Sequence, residues 1–275
     1  MDFYQLVINQ AANALDEDVG SGDISAELID PDARLDTRLL VREDAVLCGC
    51  QWFDEVFRQC DERIEIRWLA ADGDAVAADT VVCKVSGPAR GLLTGERSAI
   101  NFLQTLSGTA TVTRGYAEQL AGTACRILDT RKTIPQLRVA QKYAVVCGGG
   151  HNHRIGLFDA YLIKENHLAA AGGIARAVAR ARELHPEKLL EVEVENLDEL
   201  QQSIDAGVDR ALLDNFSTDD MRRAVALADK RIELEASGSI DHQRLAEIAA
   251  TGVDFISIGA LTKHLRAIDF SLRYA

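Results

Sequence analysis

Polar residues recur at one kind of place in this sequence, directly after a short apolar run. Ile127-Leu128 leads into Asp129-Thr130-Arg131-Lys132, and Leu162-Ile163 into Lys164-Glu165-Asn166-His167. Leu212-Leu213 leads into Asp214-Asn215, Leu234-Glu235-Ala236 into Ser237-Gly238-Ser239, and Phe255-Ile256 into Ser257-Ile258-Gly259. Runs of this kind read as buried parallel strands, and parallel barrels carry their active sites at the C-terminal strand ends. The Arg and Lys side chains suit a small anion, Arg through two parallel N–H bonds to one carboxylate or phosphate. The Ser and Gly ends leave room and expose main-chain N–H groups, as a phosphate grip requires; a pair of ordinary tight βα loops is the alternative.

The segment Glu191-Val192-Glu193-Val194-Glu195 sharpens this picture. Strand side chains alternate faces, so the three Glu share one face and the two Val the other. In a barrel the Val face meets the helices and the Glu face points inward, where unpaired carboxylates need cations or donors. An edge strand with one wet face is the alternative. A second cluster, Cys147-Gly148-Gly149-Gly150-His151-Asn152-His153-Arg154, permits close backbone approach and ends in an Arg, although a Gly run alone can be a turn. His151 and His153 lack a third ligand at zinc spacing, so a zinc site is not expected. Seven Lys/Arg between Arg126 and Glu165 (126, 131, 132, 138, 142, 154 and 164) face three acids, in a chain of net charge −13. A basic island in an acidic protein marks a local anion site or a solvated helix face. The acidic whole excludes a general nucleic-acid binder.

These residues need a frame. The 275 residues are enough for two domains, and 47% hydrophobic content with 27% charged is ordinary for a globular protein. Residues 3–15 carry apolar side chains at helical spacing, and the acidic, Gly-containing stretch Asp16–Ser25 then reads as a loop that does not match an EF-hand. Strands are expected within 34–50 and 63–86, with a helix near Trp52–Cys60 between them, giving a small α+β domain. A helical stretch from about Leu92 to Leu120 follows, which Gly108 and the Thr-rich run after it are expected to split. From 125 onward apolar runs at 126–129, 160–164, 189–194, 210–213, 232–236 and 255–258 alternate with amphipathic segments. That rhythm predicts an incomplete α/β barrel with a seventh strand in the middle of the region. The expected domains are residues 1–108 and 109–265, with the tail 266–275 free to return to the first. The 6 Cys sit mostly beside apolar residues, as buried reduced thiols do, and fit a cytoplasmic location. The N-terminus lacks the pattern of a signal peptide, and no run of 18 apolar residues predicts a membrane span.

Taken together, several ordered motifs resemble the quinolinate phosphoribosyltransferase family. They are Thr130-Arg131-Lys132-Thr133-Ile134-Pro135 with Leu137-Arg138, Gly148-Gly149-Gly150 with His153-Arg154-Ile155-Gly156-Leu157, and Leu162-Ile163-Lys164-Glu165-Asn166-His167. Glu191–Val194, Leu213-Asp214-Asn215, Glu235–Gly238, Ser257-Ile258-Gly259, Glu17–Asp23 and Gly95-Glu96-Arg97 continue the likeness over nearly the whole chain. Gln136 stands where the family usually has Gly, and Ser25 where it usually has Thr. The resemblance implies an N-terminal open sandwich, a seven-stranded C-terminal barrel, and a homodimer in which Arg97 reaches the partner's site. It implies that Arg131, Arg154 and Lys164 bind the carboxylates of quinolinate, with Thr130, Lys132, Arg138 and His153 nearby. Lys132, Glu193 and Asp214 would serve the reaction. Glu193 and Asp214 would also hold the ribose and magnesium of phosphoribosyl pyrophosphate. Ser237, Gly238, Ser239, Ser257, Ile258 and Gly259 would take its 5′-phosphate. Two rivals remain at this point: a related transferase acting on nicotinate or another aromatic acid, and a non-enzymatic paralogue accessory to molybdate transport.

Overall fold

The computed structural model describes residues 2–238, 240 and 242–274; the expected phosphate-site residue Ser239 lies outside the described residues. The chain divides into two compact units, one of Met1–Val112, Cys147–Gly149 and Leu265–Ala275, the other of Thr113–Val146 and Gly150–His264. The expected boundary at residue 108 falls inside a helix. Among the described residues no helix is long and apolar enough to cross a membrane.

The first unit opens with α1 (Phe3–Val19), capped by Asp2, whose side chain accepts the Tyr4 N–H at 3.2 Å. The helix outruns its expected end at residue 15. Its break comes at Gly20, which takes a φ of 53°. Then follow β1 (Arg34–Val41), β2 (Ala45–Val46), α2 (Cys50–Cys60), β3 (Glu65–Trp68), β4 (Ala75–Val76) and β5 (Thr80–Pro88). An antiparallel sheet runs in the order Phe270–Tyr274, β1, β5, β3, so the last strand of the chain pairs with the first. The core here is apolar: Trp52, Phe53 and Phe57 from α2 are fully buried, and Phe3 of α1 meets Trp52 edge-on at 5.6 Å between ring centroids.

Helix α3 (Ala89–Gln119) runs unbroken through Gly108 and the Thr-rich stretch, against the expectation of a split. Gly108 serves packing instead. A Cβ there would stand 2.3 Å from the Arg266 carbonyl oxygen, so only Gly lets that segment lie against the helix.

The second unit contains β6 (Arg126–Leu128), α4 (Arg138–Cys147), β7 (Tyr161–Ile163), α5 (Glu165–Ala171), α6 (Ile174–Leu184), β8 (Leu190–Val194) and α7 (Leu197–Ala206). It continues with β9 (Arg210–Asp214), α8 (Thr218–Ala228), β10 (Glu233–Ser237), α9 (Leu245–Ala249), β11 (Phe255–Ser257) and α10 (Ala260–Lys263). The six strands form one parallel sheet in the order β6-β11-β10-β9-β8-β7. A seventh strand is reduced to one bridge. His151 donates its N–H to the Ile127 carbonyl at 2.8 Å and accepts the Asp129 N–H at 3.0 Å. Among the described residues no bridge joins that segment to β7, so the α/β barrel is incomplete. Asn196 and Ser217 cap α7 and α8 directly after strands β8 and β9, which holds those βα turns short and the strand ends in place.

Candidate active site

Within the second unit a cavity of about 680 Å³ opens over the C-terminal strand ends. Thr130 and Lys132 enter it after β6, Lys164 after β7, Glu193 from β8 and Asp214 from the end of β9. Ser237 and Gly238 close β10 at its wall, and Ser257, Ile258 and Gly259 do so for β11. The Lys164 ammonium pairs with the Glu193 carboxylate. Small residues have specific tasks here. A Cβ on Gly259 would lie 3.0 Å from Cδ of Lys132, so Gly259 makes room for that side chain. A Cβ on Gly238 would lie 2.4 Å from Oδ1 of Asn215, whose amide donates to Asp214 at 3.0 Å. Lys132 is fixed through its main chain, with its N–H on Thr130 Oγ1 at 3.1 Å and its carbonyl accepting Thr262 Oγ1–H at 2.8 Å.

Five other expected residues do not line this cavity. Arg131 is exposed, and Arg154 is half-buried with one Nη1–H on the Ala160 carbonyl at 3.3 Å. The two are neighbours electrostatically, because burial and then the Arg131 charge push Arg154 below its ordinary pKa. Arg138 is a brace: its guanidinium donates to Thr133 Oγ1 at 3.1 Å and to the Ile155 carbonyl at 3.1 Å. His153 turns inward, where Nε2 lies 2.9 Å from Glu191 and 3.5 Å from Glu235. Arg97 is exposed on α3 in the first unit.

The strand of three Glu splits three ways. Glu191 is fully buried, Glu193 enters the cavity, and Glu195 lies past the end of β8 and is exposed, its N–H bonded to Glu199 at 2.9 Å. Val192 and Val194 are fully buried on the opposite face. Burial pushes Glu191 up to about 7 against the pull of Arg210, and pushes Glu235 up to about 8 with Glu191 adding to the rise. Arg210 stacks over the Phe255 ring at 4.0 Å and lies 2.8 Å from Glu233 and 3.5 Å from Glu235.

A second buried group lies one step along the chain. The Lys142 ammonium, 2% exposed, pairs with fully buried Asp129 and donates to the His153 carbonyl at 2.8 Å. Asp129 also accepts the His153 N–H at 2.8 Å and, with the Asn152 amide turned toward it, that amide at 2.6 Å. Burial raises Asp129 to about 6 against Lys142, and lowers Lys142 and His153 from their ordinary values.

Several of these residues escaped the sequence reading. Glu235 follows Glu233 with one apolar residue between, the same alternation that singled out the 191–195 strand. Lys142 was legible only as one member of the basic island, and its spacing did not announce burial against Asp129. Tyr116, Lys263 and His264 also line the cavity, and nothing in their spacing announced them.

An incomplete parallel barrel whose strand ends offer ammonium, carboxylate and small-residue loops in one cavity defines an anion-handling α/β-barrel protein. More narrowly, the chain belongs to the quinolinate phosphoribosyltransferase family. It matches "Quinolinate phosphoribosyl transferase, N-terminal domain" over residues 23–107 and "Quinolinate phosphoribosyl transferase, C-terminal domain" over residues 109–273. It is 43% identical over 263 residues to a probable nicotinate-nucleotide pyrophosphorylase [carboxylating] of Synechocystis, covering 94% of this chain and 89% of that protein. A Bacillus subtilis protein of the same description is 38% identical, with 93% and 89% covered. The solved nicotinate-nucleotide pyrophosphorylase of Francisella tularensis superposes with a TM-score of 0.97 at 49% identity, covering 100% of this chain and 98% of that one.

Proposed function

We propose that this chain transfers the phosphoribosyl group of phosphoribosyl pyrophosphate to the ring nitrogen of quinolinate, and that nicotinate mononucleotide, carbon dioxide and pyrophosphate result. The observation that carries the reading is the single cavity in which Lys132 and Lys164 face Glu193 and Asp214 at the ends of four different segments. Family membership and the names of close relatives support the same activity.

The chemistry asks for charge placement rather than a nucleophilic side chain. As pyrophosphate departs, positive charge builds on the ribose C1, and the Glu193 and Asp214 carboxylates stabilise it from the cavity wall. The pyridine nitrogen attacks C1 and becomes cationic. That cation stabilises the electron pair left at C2 when the neighbouring carboxylate departs as carbon dioxide, and a proton then fills the position. Arg131, Arg154 and Lys164 bind the two carboxylates of quinolinate, and Ser237-Gly238 with Ser257–Gly259 receive the 5′-phosphate through main-chain N–H groups. Lys164 pairs with Glu193 before substrate arrives, so binding quinolinate exchanges one carboxylate partner for another.

Magnesium fits the donor set. Two carboxylates in one cavity suit an ion that keeps its waters and substrate phosphates, whereas a protein cage would require more ligands. Bound there with the help of Glu193 and Asp214, it would offset the charge of the departing pyrophosphate. The reading extends to a homodimer in which exposed Arg97 enters the partner's site, and to a cytoplasmic location, which six free cysteines support.

The test is release of labelled carbon dioxide from quinolinate, with phosphoribosyl pyrophosphate and magnesium each omitted in turn. Release should require both. Product formation from nicotinate at a comparable rate, with none from quinolinate, would overturn the assignment.

A further inference from the structure

The one-bridge strand at His151 loses its main-chain ladder to β6 almost at once. His151 donates its N–H to the Ile127 carbonyl at 2.8 Å and accepts the Asp129 N–H at 3.0 Å. Continued two residues on, that parallel register asks the His153 N–H to meet the Asp129 carbonyl, and the Arg131 N–H to meet the His153 carbonyl. β6 ends at Leu128, however, and side-chain atoms make both bonds to His153 instead. Its N–H donates to Oδ1 of Asp129 at 2.8 Å, and its carbonyl accepts Nζ of Lys142 at 2.8 Å. Lys142 also pairs with Asp129. The Asn152 amide, turned toward them, closes the group, donating to Oδ2 of Asp129 at 2.6 Å and to the Lys142 carbonyl at 2.9 Å. Two side chains thus stand where two main-chain rungs would be.

A buried ion pair is a costly substitute for main-chain bonds, because desolvation offsets most of the attraction. Lys142 is 2% exposed and Asp129 fully buried, so stability is a weak reason for the exchange and placement a stronger one. The residues held this way come directly after Gly148-Gly149-Gly150, where the main chain has most freedom and Gly149 takes a φ of 92°. Just beyond them, the Asp159 carboxylate accepts the N–H groups of Ile155 at 2.7 Å and Gly156 at 2.8 Å. Arg154 therefore springs from main chain that is gripped on both sides by carboxylates.

We propose that Asp129 and Lys142 are positioning residues: their side chains extend the β6 ladder past its last main-chain rung and so place His153 and Arg154 for quinolinate. Both lie too deep to touch the substrate themselves. This role rests on the reading of Arg154 as a quinolinate contact, with His153 beside it. A selective defect follows, because Glu193, Asp214 and Ser237 stand on β8, β9 and β10, which are joined by main-chain ladders of their own.

The experiment compares two double variants with the wild type, by amide hydrogen exchange at His153 without substrate and by steady-state kinetics. Asp129→Ala with Lys142→Met removes both side-chain rungs and leaves no charge buried alone. Asp129→Asn with Lys142→Gln keeps the acceptor and, with a side chain one bond shorter than Lys, weakens the donor. The Ala/Met pair should exchange the His153 amide about tenfold faster or more. It should raise KM for quinolinate by about tenfold or more and leave KM for phosphoribosyl pyrophosphate within about twofold. The Asn/Gln pair should fall between it and the wild type in both exchange and quinolinate KM. An unchanged quinolinate KM in the Ala/Met pair would overturn the proposal, as would equal rises in both KM values, which mark general damage, or unaltered exchange at His153. If the Ala/Met pair does not fold, the Asn/Gln pair decides. Its quinolinate KM must then rise more than its phosphoribosyl pyrophosphate KM, together with faster His153 exchange, or the proposal fails. A wild-type chain that releases no carbon dioxide from quinolinate would sink the functional reading alone, leaving His153 exchange in the two variants to judge the ladder.

Discussion

The two units bury different kinds of side chain. In the sandwich unit the largest fully buried groups are Trp52, Phe53, Phe57 and a set of Leu and Ile, and the buried charge among the described residues is Glu55. Even Glu55 reaches outward, to an Arg58 side chain that is 47% exposed. In the barrel unit Asp129, Lys142, Glu191, Arg210 and Glu235 are all buried. A buried charge is a poor route to stability, because desolvation offsets most of what the pairing gains. Five such groups beneath the strand ends therefore point to placement of reactive residues, while the sandwich follows the ordinary rule of an apolar interior.

The contrast can be broken by measurement. The largest expected effect is that of Lys142→Met, which leaves Asp129 buried without its cation. Urea unfolding should show a loss of about 3–5 kcal/mol. A loss as small as that of a surface substitution would mean that Asp129 finds water or another partner, and the barrel would lose its special status. Next, Arg131→Ala and Lys164→Ala should each reduce kcat/KM for quinolinate at least tenfold, about 1.4 kcal/mol of transition-state stabilisation. Unchanged quinolinate kinetics in both would remove the cationic pocket from the argument.

A smaller effect concerns pH. The folded-state pKa of Glu235, about 8, lies above the ordinary value of 4.5, so between those values the folded chain holds a proton that the unfolded chain has released. Stability from this group is full below about pH 4.5 and declines as pH rises toward 8. Glu235→Gln should flatten that decline in thermal melts recorded across the range. In the sandwich unit Asp54, raised by burial to about 6, works in the same direction over a narrower window, so Asp54→Asn should alter only the acidic side. Equal slopes for the wild type and Glu235→Gln would show that the carboxyl is solvated. The smallest effect is expected of Arg63→Ala in the sandwich unit, where the pair with Asp61 sits on an Arg side chain 69% exposed. Its unfolding midpoint should match the wild type.

How much of this was legible beforehand depends on the range of the interaction involved. The alternation of apolar runs with amphipathic segments is local, and it announced the parallel strands and the polar residues at their ends. The reading of Gly108 as a helix break failed because the relevant neighbour, the Arg266 carbonyl, is far away along the chain. The seventh strand at His151 was too short to have a period of its own. The three Glu of the 191–195 strand were correctly given one face, but the strand ends at Val194, and that end separates a buried Glu191 from an exposed Glu195.

The sequence alone determined the periodicities, the turn chemistry and the residue types at the strand ends, since these depend on bonds and neighbours a few positions apart. Only the tertiary structure decided that Lys164 meets Glu193, that Lys142 meets Asp129, and that His153 meets Glu191 and Glu235. Those pairings depend on assembling the parallel sheet and its helices, which brings into contact residues whose separation along the chain carries no signal of their final distance. Beneath that sheet's strand ends, where Glu191 and Glu235 are fully buried, the environment also sets which carboxyl groups keep their protons.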